Sequence, residues 1–209
     1  MSEKFGYDRG QPIDRFYLES FLSRHADAVR GDVGEVSERR YVDVFGGERV
    51  QSVEVIDRDA DNPQATLITD LGESDALPKG AFDCLLVTQV LQYMEHPKVG
   101  LGGLVTALRP GGTLLVAAPA LTPHDRLESP SGDYWRFWPA GLASMLRAVA
   151  PQATVEVEAY GDLLTTTAFL HGLSAEELRP AELEHHDIRF PVVVCGRLDL
   201  PSEGRDQRG

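Results

Sequence analysis

Along the chain, short apolar runs alternate with stretches of helical spacing. Gln11 to His25 predicts a helix, with Pro12 in its first turn and an apolar stripe of Ile13, Phe16, Tyr17, Phe21 and Leu22. Val33 to Val36, Val50 to Ile56 and Ala65 to Thr69 read as strands, stopped by the polar run from Ser37, the turn-rich Asp57 to Pro63, and Asp70. Phe82 to Val87 is almost unbroken in its apolar character, as expected of a strand buried on both faces of a parallel sheet. A helix through Leu101, Leu104 and Leu108 follows, closed by an Arg109-Pro110-Gly111-Gly112 turn before a strand over Thr113 to Ala118. Pro139 to Val149 predicts a helix, and Thr154 to Ala159 and Pro191 to Leu198 two final strands. This alternation predicts an α/β fold, a doubly wound, mostly parallel seven-stranded sheet with helices on both faces.

The expected organisation is one domain over 1–200, with an N-terminal helical cap over about 1–30 and a polar, disordered tail over 201–209. The chain has 209 residues and a net charge of -13, which excludes nucleic acid and anionic membrane surfaces as natural partners. No apolar run approaches the ~20 residues of a spanning helix, and residues 1–15 lack the apolar core of a signal peptide. Cys84 and Cys195 are the two cysteines, too few for a disulfide framework or a Cys-based zinc site, and the expected location is cytoplasmic.

Four segments carry a resemblance. Phe82-Asp83 opens a buried strand, and Gln89-Val90-Leu91-Gln92-Tyr93 follows it. Next come Leu108-Arg109-Pro110-Gly111-Gly112 and Asp133-Tyr134-Trp135-Arg136-Phe137. In this order and spacing, over about 33–146, the chain resembles the class I S-adenosylmethionine-dependent methyltransferases, of the small-molecule and glycan type. The resemblance implies a Rossmann-like methyltransferase fold and S-adenosylmethionine as cofactor. It places Glu35, Ser37, Tyr41, Glu54, Asp70, Leu71, Thr88 and Gln89 at the cofactor. Glu54 is the ribose candidate, with Asp57 and Asp59 as rivals, and Asp70 and Leu71 flank the adenine. Tyr41 either lines the methionine end of the pocket or packs beneath the loop. The first strand departs from the pattern: Ser37 stands where the first glycine of the family's turn belongs, and no glycine follows until Gly46.

Of the remaining candidates, His124 beside Asp125 is the expected catalytic base if one is used, with His96 next. The alternative for His124-Asp125 is an exposed loop pair. Tyr134, Trp135 and Trp138, with Phe137, form either a substrate-facing aromatic wall or part of the core. Arg136 reads as a structural ion-pair partner. Phe16 and Tyr17 of the first helix read either as a lid over substrate or as ordinary packing. His185-His186-Asp187 has poor spacing for a shared metal ion, and no metal is expected. The expected reaction is methyl transfer to a hydroxyl or similar nucleophile of a small molecule, a sugar or secondary metabolite. The alternatives are a repurposed, non-methylating cyclase or isomerase of natural-product biosynthesis, or a non-catalytic scaffold. A homodimer is compatible with each.

Overall fold

The computed structural model describes residues 2, 4–73, 75–124 and 132–202. The sheet consists of β1 (Gly31–Val36), β2 (Val50–Asp57), β3 (Leu67–Ile68), β4 (Phe82–Thr88), β5 (Leu108–Pro119), β6 (Thr154–Tyr160) and β7 (Val193–Asp199). The helices are α1 (Ile13–Arg24), α2 (Arg40–Phe45), α3 (Pro97–Ala107), α4 (Pro139–Val149), α5 (Leu163–Leu170) and α6 (Pro180–Leu183), with short 3-10 turns between. The strand order is β3-β2-β1-β4-β5-β7-β6. β7 runs antiparallel between β5 and β6, and the other neighbouring pairs are parallel. Among the described residues, no helix is long and apolar enough to cross a membrane.

Pleating divides the core in two. In β4, Leu85 and Val87 pack with Leu114, Val116, Leu101, Leu104 and Leu142 under α3 and α4. Cys84 and Leu86 point the other way, toward Tyr17, Leu18, Phe21 and Phe169 under α1 and α5. Both faces are therefore dry, which is why this strand reads as a continuous apolar run. Strand order reverses between β1 and β4, so the loops leaving these strands diverge and open a crevice beyond their carboxyl ends.

Two boundaries differ from the sequence expectation. Leu108 begins β5 rather than ending the helix, and the expected Pro-Gly-Gly turn lies inside that strand. Phe82 pairs with Leu108 and Cys84 with Thr113, so residues 109–112 bulge out of the ladder. Arg109 uses the bulge to reach Asp32 at 2.8 Å and Asp83 at 2.7 Å, pinning β1, β4 and β5 at the edge opposite the crevice. β3 is only two residues long, because it pairs with β2 at the sheet's edge through Leu67 and Ile68 alone.

Gly34, in the middle of β1, sets how closely β1 approaches its neighbours. A Cβ there would stand 2.6 Å from Leu85 Cδ2 and 3.0 Å from Ile56 Cδ1, both fully buried. Gly34→Ala is expected to lower unfolding free energy in urea by about 1–3 kcal/mol through overpacking. An unchanged midpoint would mean that the core yields there without strain.

Candidate functional site

A cleft of about 1150 Å³ lies over the carboxyl ends of β1 to β5. Roughly 300–1,000 Å³ is usual for a small-molecule site, so the space lies just beyond the large end of that range. One flank is formed by Glu35 to Glu38 after β1, Ile56 to Asp59 after β2, and Ile68 to Leu71 around β3. The other comprises Thr88 to Val90 and Gln92 to Met94, then Pro119, Thr122, Pro123, Asp133 and Arg136. Phe5, Tyr7, Asp14, Arg15 and Phe169 close it from above.

The turn after β1 is held by one buried side chain. Glu35 is 1% exposed, and its two oxygens accept the backbone N–H groups of Tyr41 at 2.9 Å and Val42 at 2.8 Å. This satisfies orphan donors at the start of α2. Burial pushes the Glu35 carboxyl up to about 7, while the two N–H bonds pull against that shift. Ser37 then takes φ +68, the left-handed conformation that a glycine adopts without strain, and donates its N–H to the Ile56 carbonyl at 2.9 Å. Across the crevice Gln89, just after β4, also adopts a left-handed φ of +57. Two non-glycine residues in this region, one on each side of the switch point, mark a locally strained edge.

Asp57, rather than Glu54, provides the carboxylate at the end of β2. Glu54 lies three residues earlier, exposed, with its carboxylate taken by the Thr66 hydroxyl, and it does not wall the cleft. Asp57 accepts from the Asp59 N–H at 3.0 Å and the Asn62 amide at 2.7 Å, with lone pairs left for a ligand. Asp70 and Leu71 both line the cleft, Leu71 buried and Asp70 holding the Gly72 N–H at 2.8 Å. Thr88 and Gln89 line it as well. Tyr41 does not: it is buried behind the loop, stacked on Phe45.

The aromatic candidates stand elsewhere. Tyr17 is buried in the second core, 5.8 Å from the Tyr160 ring and 5.4 Å from that of His186, so packing rather than a lid describes it. Tyr134, Trp135 and Trp138 are 48%, 41% and 47% exposed and lie outside the cleft wall, while Phe137 is buried. Backbone pairing sets this facing. Tyr134 N–H donates to Gln92 O and Phe137 N–H to Pro119 O, and the Trp135 indole donates to Met94 O at 2.9 Å. Asp133 and Arg136 face the cleft instead. Arg136 is spent on the Asp133 carboxylate at 2.6 Å and on the carbonyls of Pro123 and Thr122, the structural pairing expected of it. His124 is exposed, one residue past the cleft-lining Pro123, and Asp125 falls outside the described residues. His96 is exposed ahead of α3. His185 pairs with Asp162 at 2.9 Å, and His186 accepts from Gly161 N–H, so the two adjacent rings serve different partners.

The roof is built by residues other than the lid candidates Phe16 and Tyr17. Residues 4–12 are strapped to residues 169–177: Phe5 stacks on Phe169, Arg9 pairs with Glu177, and Gln11 N–H donates to the Glu176 carboxylate at 3.0 Å. This strap leads into α1 so that Asp14 and Arg15 hang into the cleft. A signal was present, since Asp14 falls on the same helical face as Leu18 and Phe21, where a carboxylate needs a reason.

No family model and no curated protein matches the chain by sequence. Solved structures match by fold. A SAM-dependent methyltransferase from Archaeoglobus fulgidus is similar with a TM-score of 0.57 at 14% identity, over 88% of this chain and 94% of that one. The [4+2]-cyclase SpnF matches with a TM-score of 0.59 at 15% identity, over 93% and 85%. The Burkholderia thailandensis 1,6-didemethyltoxoflavin-N1-methyltransferase, solved with 1,6-didemethyltoxoflavin and S-adenosylhomocysteine, matches with a TM-score of 0.58 at 14% identity, over 92% and 80%. The chain thus has the Rossmann-like fold of SAM-dependent methyltransferases.

Glu35 carries a pH signature. Its folded-state value lies above the ordinary 4.5, so between 4.5 and about 7 the native protein binds more protons than the unfolded chain. Its contribution to stability is full below that range and is lost as pH rises through about 7. In urea unfolding, the stability difference between wild type and Glu35→Gln should shift against the wild type by about 2–3 kcal/mol across this window. A flat difference would show that the carboxyl titrates normally.

Proposed function

We propose that the protein transfers a methyl group from S-adenosylmethionine to a hydroxyl or similar nucleophile of a small molecule. The observation that carries this is one large cleft at the strand-order reversal, with the Asp57 carboxylate ending β2 beside the left-handed turn at Ser37. The donor set fits the cofactor. Asp57 and Asp59 offer acceptors for ribose hydroxyls, Ile56, Ile68, Leu71 and Val90 offer apolar faces for a purine, and Asp70 offers an acceptor for its amine. When bound, S-adenosylmethionine supplies a methyl carbon made electrophilic by the sulfonium. The chain's own part is positioning and exclusion of water: Thr88 and Gln89 bound the reacting end, and the strap carrying Phe5 and Tyr7 roofs it. His124, at the rim beyond Pro123, is the candidate to receive a substrate proton.

A second reading has its own observation. Ser37 holds a left-handed φ in the turn where a glycine would be smaller and unstrained, and SpnF, similar in fold, is a [4+2]-cyclase. A chain reshaped in that direction holds the cofactor without spending it.

Calorimetric titration separates these readings from a scaffold. Micromolar binding of S-adenosylmethionine and S-adenosylhomocysteine is the expected result, and no heat at millimolar ligand would sink the methyltransferase reading. Release of S-adenosylhomocysteine on incubation with hydroxylated acceptors then distinguishes transfer from mere retention. Ser37→Gly should relieve about 1 kcal/mol of backbone strain and tighten S-adenosylmethionine severalfold. Unchanged or weaker binding would place the cofactor away from this loop.

A further inference from the structure

Asp14 and Arg15 are adjacent, oppositely charged and poorly matched to each other. Asp14 is 9% exposed, and the nearest approach of the pair, Arg15 Nε to Asp14 Oδ2, is 3.9 Å, beyond hydrogen-bond range. Gln89 Nε2 reaches the same Oδ2 only at 3.4 Å. Asp14 Oδ1 and Arg15 Nε are buried with no hydrogen-bond partner among the described residues. Leaving both charges underused in a buried setting is unfavourable, and a ligand bearing the complementary charges would offset that cost. Burial raises the Asp14 carboxyl above its ordinary range, and the Arg15 charge pulls against that shift.

The position of the pair narrows that ligand. Arg15 lies against the first-strand loop beside the Tyr41 phenol, which burial raises while the Arg15 charge pulls against that shift, and Asp14 lies against Gln89 at the end of β4. They straddle the switch point. Three of the loop's amides are already taken: Ser37 N–H is held by Ile56 O, and Tyr41 and Val42 N–H by Glu35. Among the described residues, the other cations on the cleft wall are Arg58, after β2, and Arg136, already bound to Asp133.

We infer that Asp14 and Arg15 form a zwitterion receptor for the amino-acid head of the cofactor, Arg15 taking its carboxylate and Asp14 its ammonium. This rests on the S-adenosylmethionine reading above, and it replaces the usual glycine-loop amides with a cation delivered from the N-terminal helix.

The test compares S-adenosylhomocysteine with 5′-methylthioadenosine, which keeps the nucleoside and lacks the amino-acid head, by calorimetry on the full chain. Wild type should bind S-adenosylhomocysteine more tightly than 5′-methylthioadenosine. Arg15→Gln and Asp14→Asn should each weaken S-adenosylhomocysteine about ten- to a hundredfold while leaving 5′-methylthioadenosine unchanged, which also reports an intact fold. Arg15→Lys should recover part of the loss. Equal wild-type affinity for the two ligands, or S-adenosylhomocysteine binding unchanged in both variants, overturns the receptor and leaves the cofactor reading standing. A parallel loss of both ligands also overturns it, since the residues would then act through the fold. Wild type binding neither ligand overturns both.

Discussion

A sharp turn made without glycine governs the carboxyl edge of this sheet. After β1 the chain must reverse into α2 within a few residues, and it does so through Ser37 in a left-handed conformation that serine does not favour. The conformation persists because its surroundings over-determine it. Glu35 reaches forward to bind two amides of α2, and Ser37 N–H is locked to the neighbouring strand through Ile56 O. The carboxylate that holds the turn sits in a dry place and resists ionising there, so the loop's geometry is maintained at a cost in stability. A site that needs a fixed backbone path is one setting in which such a cost persists.

The cleft floor is thus set by the sheet, and its roof by a contact distant in sequence. Apart from the carboxylate of Asp14 on an apolar helical face, residues 4–15 do not themselves tell where they lie. Their placement comes from Arg9, Gln11 and Phe5 meeting Glu177, Glu176 and Phe169, more than 150 positions away. Those contacts are partly exposed and individually weak, yet together they register α1 so that its third turn packs on the core while its first turn faces the crevice. The two carboxylates of the strap's partner helix end are strongly engaged, and the Glu177 carboxyl is held down to about 2 by Arg9 and the Ser174 N–H.

How much of this is legible in the sequence follows from how local each determinant is. β4 and α4 are readable because a doubly buried strand and an amphipathic helix opened by proline each carry their own pattern. Glu35, Ser37, Asp70, Leu71, Thr88 and Gln89 come from the family resemblance rather than from periodicity, and all six line the crevice because each ends or follows a strand. Between Glu54 and its rivals Asp57 and Asp59 the sequence does not choose; the sheet pairs Asp57 as the last residue of β2, so Asp57 and Asp59 line the crevice and Glu54 does not. The aromatic segment fails differently. Density of aromatic rings says that burial or recognition is needed, but their facing is set by pairing of Tyr134 with Gln92 and Phe137 with Pro119, which no period within the segment encodes.

Charge gives the last constraint. With acidic residues in excess, a cleft lined by Glu35, Glu38, Asp57, Asp59, Asp70 and Asp133 repels anions unless a cation is placed inside it. Arg136 does not serve, because its fork is filled by Asp133 and three carbonyls, and it acts as a brace between the loop after β5 and the segment before α4. Arg15 differs in having an unfilled donor, and in arriving from a helix whose neighbouring residue is an acid. An Arg alone in so acidic a crevice would be drawn into one of its carboxylates. Holding Asp14 beside it at a distance that bars a good hydrogen bond keeps both charges near neutral balance while leaving each able to meet a partner. The mismatch is therefore the feature that separates this pair from the filled ion pairs around it, and it identifies the part of the cleft where polar recognition remains available.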